Sequence, residues 1–290
     1  MIIALTAVTD RGLEREVNED AFALCPNLQK SEWLIDRQSP LSAQVTPSEA
    51  GTLIAIADGM GGAAAGDVAS QKAVEILGRL FQSSASAVQS TEREAFLKAS
   101  IATIDEELKQ HAIDHFETAG MGTTIVVAWM NAETVSLAWC GDSRCYLYRP
   151  SDGLSRLTHD HSYVQQLVDQ GELHPDEAIT HPESNVITRC LGDTDTATHP
   201  DTTSLALEEG DMLLLCTDGL CGYINDKAIG DIVQRHYPDT EATREALLRA
   251  ALAAGGYDNI TIALALLSNG VNQRQPSFLG RLFHCLKNPS

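Results

Sequence analysis

Two segments of the chain echo each other: Leu53–Gly59 reads LIAIADG and Leu213–Gly219 reads LLLCTDG. Each is an apolar run of strand length that delivers an aspartate and then a glycine at its C-terminal end. A buried strand is rigid and its end opens to solvent, so Asp58 and Asp218 would be held firmly yet stay reachable. Glycine lets the backbone turn sharply and exposes its own carbonyl as an oxygen ligand. Asp-Gly is also ordinary turn chemistry, and for either segment alone that plainer explanation is the better one. Three further acidic sites shift the balance. Asp142 lies in Gly141-Asp142-Ser143 between apolar runs, Asp258 stands just before the last apolar run, and Glu19-Asp20 follows Arg15 beside another strand-like stretch. Carboxylates that converge in this way repel one another unless something positive sits between them. Oxygen ligands with no His or Cys among them fit hard cations such as Mg2+ or Mn2+ rather than zinc.

The elements that must position these residues follow from the hydrophobic period. Ile2–Val8 predicts a strand that breaks at Asp10-Arg11-Gly12, and Thr52–Ala57 predicts a fully buried one. From Gly66 the spacing turns helical through Val68, Ala69, Ala73, Ile76, Leu77 and Leu80, and again from about Glu92 to His115. Thr123–Met130, Thr134–Cys140 and Arg144–Arg149 then read as strands joined by Asn131-Ala132-Glu133 and Gly141-Asp142-Ser143. Connections this short make only antiparallel hairpins, which excludes a purely parallel, doubly wound sheet. A helix over Ser162–Gln170, a strand over Met212–Cys216, helices near Lys227–His236 and Thr240–Ala254, and a strand over Ile260–Leu267 complete the pattern. Pro26–Gly51 shows no clear period and is read as a long surface loop, unusual inside a compact domain. The expectation is one α+β domain over residues 1–267 and a basic tail over 268–290, read as disordered, with three basic and no acidic residues. The tail's Phe278–Leu286 stretch could form a short amphipathic piece, although a lone stripe this short is usually a frayed terminus.

At 290 residues and 43% hydrophobic, the chain can bury a substantial core. Its 40 acidic residues against 20 basic give a net charge of −20, which argues against nucleic-acid binding, since that depends on Lys and Arg neutralising phosphates. Most of the surplus is expected to serve solubility. None of the seven cysteines forms a CxxC pair, and buried free thiols in a reducing cytosol are the simplest account of them. The N-terminus lacks a basic n-region and meets Asp10 too early for a secretory signal. No apolar run approaches the ~20 residues that span a bilayer, so a cytoplasmic protein without a membrane span is expected.

Arg15-x-x-Asn18-Glu19-Asp20, Ala57-Asp58-Gly59-Met60-Gly61-Gly62, Met121-Gly122-Thr123-Thr124, Gly141-Asp142-Ser143-Arg144, Cys216-Thr217-Asp218-Gly219 and Asp258-Asn259-Ile260-Thr261 appear in that order. The series resembles the motifs of the metal-dependent protein serine/threonine phosphatases of type 2C. Leu157–Ser162 and Asn185–Gly192 resemble the flap of the bacterial branch, and the likeness runs from about Thr6 to Leu267. It implies a four-layer α-β-β-α sandwich of two antiparallel sheets flanked by helices. It also implies hydrolysis of phosphoserine and phosphothreonine in proteins by a metal-activated water at a binuclear Mn2+ or Mg2+ centre. Asp58 would bridge the two ions, the Gly59 carbonyl would complete one site, and Asp218 and Asp258 would hold the other ion. Glu19 and Asp20 would act directly or through water, Asp142 would help hold a weaker third ion, and Arg15 would grip the substrate phosphate with its guanidinium fork. The implied partners are phosphorylated proteins, substrates of a serine/threonine kinase, met by a monomer. Met60 departs from the eukaryotic pattern, which places a leaving-group His there. That role must pass elsewhere, and Met at this place marks the bacterial subgroup.

Other functions fit less well. Gly59-x-Gly61-x-x-Ala64 loosely matches a dinucleotide fingerprint, but an aspartate occupies the strand end where phosphate would approach and the hairpins break the βαβ order. Other two-metal hydrolases mix His with carboxylates, whereas His159 and His161 fall in the flap segment and are expected to be solvated surface residues. No Cys-x5-Arg arrangement supports a cysteine nucleophile. A pseudophosphatase that only binds phosphoproteins would typically have lost a metal aspartate, and none is missing.

Overall fold

The buried strands read as continuously hydrophobic because both of their faces meet apolar layers. Strand β12 (Ile260–Ser268) shows the principle. Its Ala263, Ala265 and Leu267 pack into one cluster while Ile262, Leu264 and Leu266 pack into another. Strand β4 (Thr52–Met60) does the same, with Ile54 and Ile56 on one side and Leu53, Ala55 and Ala57 on the other.

The computed structural model describes residues 1–35, 40–61, 65–84, 88–194 and 198–269. The basic tail beyond Asn269, together with Gly62 and Ala64, lies outside the described residues. One sheet runs β3-β1-β12-β11-β8-β9 and the other β10-β7-β6-β4-β2, each antiparallel throughout. The first contains β1 (Ile2–Asp10), β3 (Leu41–Val45), β8 (Arg144–Arg149), β9 (Gly153–Arg156), β11 (Met212–Cys216) and β12. The second contains β2 (Asp20–Cys25), β4, β6 (Ile125–Met130), β7 (Thr134–Cys140) and β10 (Asp201–Ala206), with the two-residue β5 (Gly122–Thr123) pairing the end of β4. Helices α1 (Gly66–Ser84) and α2 (Arg93–Asp114) cover the second sheet, and α5 (Asp226–His236) and α6 (Thr240–Ala253) cover the first. Between the sheets lies a third apolar layer that includes Ile3, Leu5, Phe22, Leu24, Val126 and Leu213. The expected four-layer sandwich is the observed one. Short helices α3 (Tyr163–Asp169) and α4 (Asp218–Cys221) belong to the segments around the site.

Pro26–Gly51 is not a structureless loop. Leu41–Val45 adds an edge strand to β1, with Ala43 opposite Leu5, and Leu34 bridges Leu24. The segment hides its period because only one face of an edge strand is half-buried, leaving Ser42 and Gln44 outward. Edge strands β9 and β10 escape the sequence reading for the same reason. The stretch expected as one strand over Thr123–Met130 is broken at Thr124. There the Thr124 N–H donates to the Asp58 carbonyl at 2.8 Å, while its hydroxyl accepts from the Asp58 N–H at 3.1 Å.

Trp129 anchors the helix-facing core. It is fully buried, its indole N–H donates to the Ala50 carbonyl at 2.8 Å, and the Arg93 guanidinium sits 4.6 Å above its ring. Phe81 and Phe96 meet it edge-on at 4.9 and 5.8 Å. Trp129→Ala is therefore expected to cost about 3–5 kcal/mol, read as a lower urea midpoint. A midpoint matching the native protein would show that the cluster does not anchor the layer.

Candidate metal centre

Strand periodicity places the polar residues of the site. On β2, Phe22 and Leu24 face the inter-sheet layer, so Asp20, an even number of residues away, faces it too. Asp58 stands in register opposite Asp20 and shares the face of Ile54 and Ile56. Thr9 follows the face of Leu5 and Ala7, Thr217 that of Leu213 and Leu215, and Thr261 that of Ala263 and Ala265. At one end, therefore, the apolar layer between the sheets gives way to a floor of Thr9, Asp20, Asp58, Thr217 and Thr261. Asp20 is fully buried there, and one of its carboxylate oxygens accepts from Thr217 at 2.9 Å and from Thr261 at 2.7 Å.

The remaining acidic residues enter from turns. Asp142 is buried in the short connection between β7 and β8. Those strands lie in different sheets, so Gly141-Asp142-Ser143 is not the hairpin expected from its length but a crossing from one sheet to the other. Asp218 begins α4 directly after β11, at a crossing so tight that a Cβ on Gly219 would collide with the Asn259 carbonyl. Gly59 is equally confined, since a Cβ there would collide with the Gly66 carbonyl, and its N–H donates to the Glu19 carbonyl at 3.1 Å. Asp258 accepts from the Asn259 N–H at 2.8 Å and from Arg15 Nη2 at 2.7 Å. Arg15 thus stands at the mouth, half-exposed, with one donor given to Asp258.

The electrostatics are those of crowded like charge. Burial, then repulsion from Asp20, Asp218, Asp142 and Asp258, pushes the Asp58 carboxyl well above its ordinary range. Burial does the same to Asp142, with Asp218 and Asp160 adding to it. Asp20 is pushed up to about 8, chiefly by burial and against the two threonine hydrogen bonds. Burial and Asp258 push Asp218 up to about 6. Glu19, more open, is raised by burial and held back by Arg15.

Whether cations fit can be judged from the oxygens themselves. Asp20 Oδ1, Asp142 Oδ1 and Asp218 Oδ1 are buried and have no hydrogen-bond partner. Buried carboxylate oxygens left in this way are costly unless something positive meets them. Among the described residues, no three His, Cys, Asp or Glu side chains close into a preformed cage around one point. The donors themselves, carboxylate oxygens without nitrogen or sulfur, are of the kind hard divalent cations take. The residues present fit the oxygen-bound divalent ions expected from the sequence.

The fold brings Asp20, Asp58, Asp142, Asp218 and Asp258 into one field, with Glu19, Gly59 and Arg15 at its edge. It also reveals supports that sequence reasoning missed. The Asn259 side chain accepts from the Glu19 N–H at 2.7 Å and donates to the carbonyls of Arg11 at 2.9 Å and Val17 at 3.0 Å, clamping the loop that carries Arg15. Its place beside Asp258 was the available signal. His161 corrects an expectation: it is buried, not solvated. Its Nδ1 accepts from the Gly141 N–H at 3.1 Å, its backbone N–H donates to the Gly141 carbonyl at 3.0 Å, and Nε2 meets Asp201 at 3.1 Å. Arg144 forks onto Asp160 with contacts of 2.6 to 3.0 Å, fixing the other side of the Asp142 turn. His159 is half-exposed and pairs with Asp169, as a surface residue would. Met60 ends β4 opposite Gly122, and its thioether has no proton to give. The six described cysteines are free, five of them buried. Among the described residues, no helix is long and apolar enough to cross a membrane.

Residues 40–254 match the family model described as protein phosphatase 2C. The chain is 40% identical over 218 residues to the protein phosphatase PhpP of Streptococcus pneumoniae, covering 75% of this chain and 86% of that one. The crystal structure of the serine/threonine phosphatase Stp1 from Staphylococcus aureus superposes with a TM-score of 0.78 at 32% identity, over 91% of this chain and 94% of that one. The catalytic domain of the serine threonine protein phosphatase PstP, solved in complex with two manganese ions, gives a TM-score of 0.72 at 30% identity, over 93% of this chain and all of that one. With these matches spanning the strands that carry the carboxylates, the chain belongs to the protein phosphatase 2C family of serine/threonine phosphatases, in its bacterial branch.

Proposed function

We propose that this chain hydrolyses phosphoserine and phosphothreonine in proteins with the help of two divalent cations, Mn2+ or Mg2+, and a weaker third. The observation that carries the reading is the set of buried, unpartnered oxygens on Asp20, Asp142 and Asp218 around Asp58. The manganese ions bound by the related PstP domain support it. Asp58 would serve both ions and the Gly59 carbonyl would complete one site. Asp218 and Asp258 would hold the other ion, Asp142 would help hold the third, and Glu19 and Asp20 would contribute directly or through water.

When bound, such ions would supply positive charge to offset that on the phosphoryl oxygens and would make a water more acidic. The chain's own contribution is placement. Strands β2, β4 and β11 fix the carboxylates, and the Thr217 and Thr261 hydroxyls orient Asp20. Arg15, tethered by Asp258 at the mouth, has further guanidinium donors for a bidentate grip on phosphate. The catalytic domain over residues 1–267, a monomeric state, a cytoplasmic location and substrates made by a serine/threonine kinase complete the proposal.

The deciding experiment is a phosphopeptide assay across a metal series with a chelator control. Turnover is expected with Mn2+ or Mg2+ and lost with chelator, and Asp58→Asn should lower it by a factor of at least about 10^3 while leaving a folded protein. Substantial turnover by that variant would remove the bridging role. Arg15→Ala is expected to raise KM for phosphopeptide about tenfold or more, and an unchanged KM would count against the phosphate grip. A pH dependence also follows. Asp20 and Asp218 bind protons more tightly in the fold than their ordinary value of 3.8 allows. Protonation therefore favours the metal-free fold, and its stability should fall as pH rises from about 4 through about 8. Excess Mn2+ should accordingly raise Tm more at about pH 8 than at about pH 6, because protons and cations compete for the same oxygens. A pH-independent gain in a thermal melt would contradict this.

A further inference from the structure

Ten large apolar side chains are exposed among the described residues, and four of them gather around Arg15: Leu13, Val17, Tyr223 and Tyr257, each 40% to 63% exposed. They come from three separate segments. Leu13 lies over Gly256, with its N–H donating to the Gly256 carbonyl at 2.7 Å. The Val17 carbonyl is held by Asn259 at 3.0 Å. Tyr223, just after α4, meets Tyr257 with ring centroids 5.6 Å apart and planes tilted by 39°. Burial, with the neighbouring charges of Asp258 and Asp218, pushes the Tyr223 phenol up. Exposed apolar groups scattered singly need no explanation, but a contiguous patch at the mouth of a charged site does.

The charges around this patch restrict what can lie on it. Glu14 and Glu16 flank Arg15 and are exposed, and the whole chain carries −20. An acidic segment next to the phosphate would meet repulsion, whereas an apolar one would cover Leu13 and the two tyrosine rings.

We infer that Leu13, Val17, Tyr223 and Tyr257 form the seat for the residues that flank the phosphorylated one, selecting substrate segments with an aromatic or large aliphatic neighbour and against acidic neighbours. This rests on the reading of the site as a phosphoprotein phosphatase. The occupant is an extended stretch of the substrate protein, because the patch adjoins the position where Arg15 meets the phosphate. The tyrosines act as rigid surfaces with few rotatable bonds, so little entropy is lost when a ring or aliphatic chain settles on them.

Three phosphothreonine peptides test the inference, identical except for Phe, Gly or Glu on both sides of the phosphorylated residue, assayed with Mn2+. The native protein is expected to rank them Phe, Gly, Glu in kcat/KM, with Phe ahead of Gly by about fivefold or more, mainly through KM. Tyr223→Ala with Tyr257→Ala should bring the Phe-to-Gly ratio within about twofold of unity, and Leu13→Ser should lower it in part. Tyr257→Phe should preserve it, because the ring face remains. Equal kcat/KM for Phe and Gly peptides in the native protein, or an undiminished ratio in the double variant, would overturn the inference while leaving the phosphatase reading intact. Hydrolysis of none of the three would overturn both.

Discussion

Asp20, Asp58, Asp142, Asp218 and Asp258 reach one end of the inter-sheet layer from five different places in the chain, and their mutual repulsion is the constraint that the surrounding fold has to satisfy. On mobile loops such groups would swing apart and take up water. Here Asp20 and Asp58 sit opposite each other on paired strands, and Asp218 follows directly on a third. Each strand is pinned by apolar residues on both faces. Burial of Phe22, Ile54, Ile56, Leu213 and Leu215 thus supplies the stabilisation that holds like charges together. Hydroxyl donors relieve part of the strain at Asp20, and Arg15 relieves part at Asp258. The three unpartnered oxygens mark what remains unrelieved.

The same arrangement explains which parts of the molecule were legible in sequence. A strand buried on both faces announces itself as an uninterrupted apolar run, so β4, β11 and β12 could be read, and with them Asp58, Asp218 and Asp258 at their ends. The short β6–β7 connection disclosed antiparallel pairing, but the equally short β7–β8 connection misled, because it carries Asp142 from one sheet to the other instead of turning a hairpin. Strands β3, β9 and β10 were illegible because all three are sheet edges, where one half-buried face leaves a weak period broken by Ser, Thr and Gln. His161 was misjudged for a different reason. Its sequence neighbours are polar, and only the packing of its segment against the Gly141 turn buries it. Asn259 carried a recognisable place in a motif, but three hydrogen bonds to residues more than two hundred positions away are a tertiary fact.

These two supports divide the site into parts held by different means. His161 and Arg144 fix the Asp142 turn, the one meeting half-exposed Asp201 and the other buried Asp160. Asn259 fixes the Arg15 loop from beneath, leaving Leu13, Arg15 and Val17 pointing outward. Both supports act on backbone groups, through Gly141 on one side and through Arg11, Val17 and Glu19 on the other. The backbone around Asp142 and Glu19 is therefore located by bonds that leave those two side chains out, whereas Asp20 and Arg15 are themselves bonded, to Thr217 and Thr261 and to Asp258.

That division bears on how the proposed site could accept more than one phosphoprotein. The floor acts on a phosphoryl group, which is alike in all of them, and its residues are immobilised by two sheets. The rim is built on turns, at Arg11–Glu19, after α4 and at Gly255–Asp258, where a change of side chain leaves the strands undisturbed. Close backbone packing beneath the rim, with Gly219 against Asn259 and Leu13 against Gly256, still ties those turns to the floor. On the inferred role of the rim, a substitution there would alter which neighbours of the phosphate are accepted, while the carboxylates below stay where hydrophobic burial holds them. Selection and chemistry are adjacent in space but rest on different interactions, and this is why the chemistry could be read from strand-end aspartates while the choice of substrate could not.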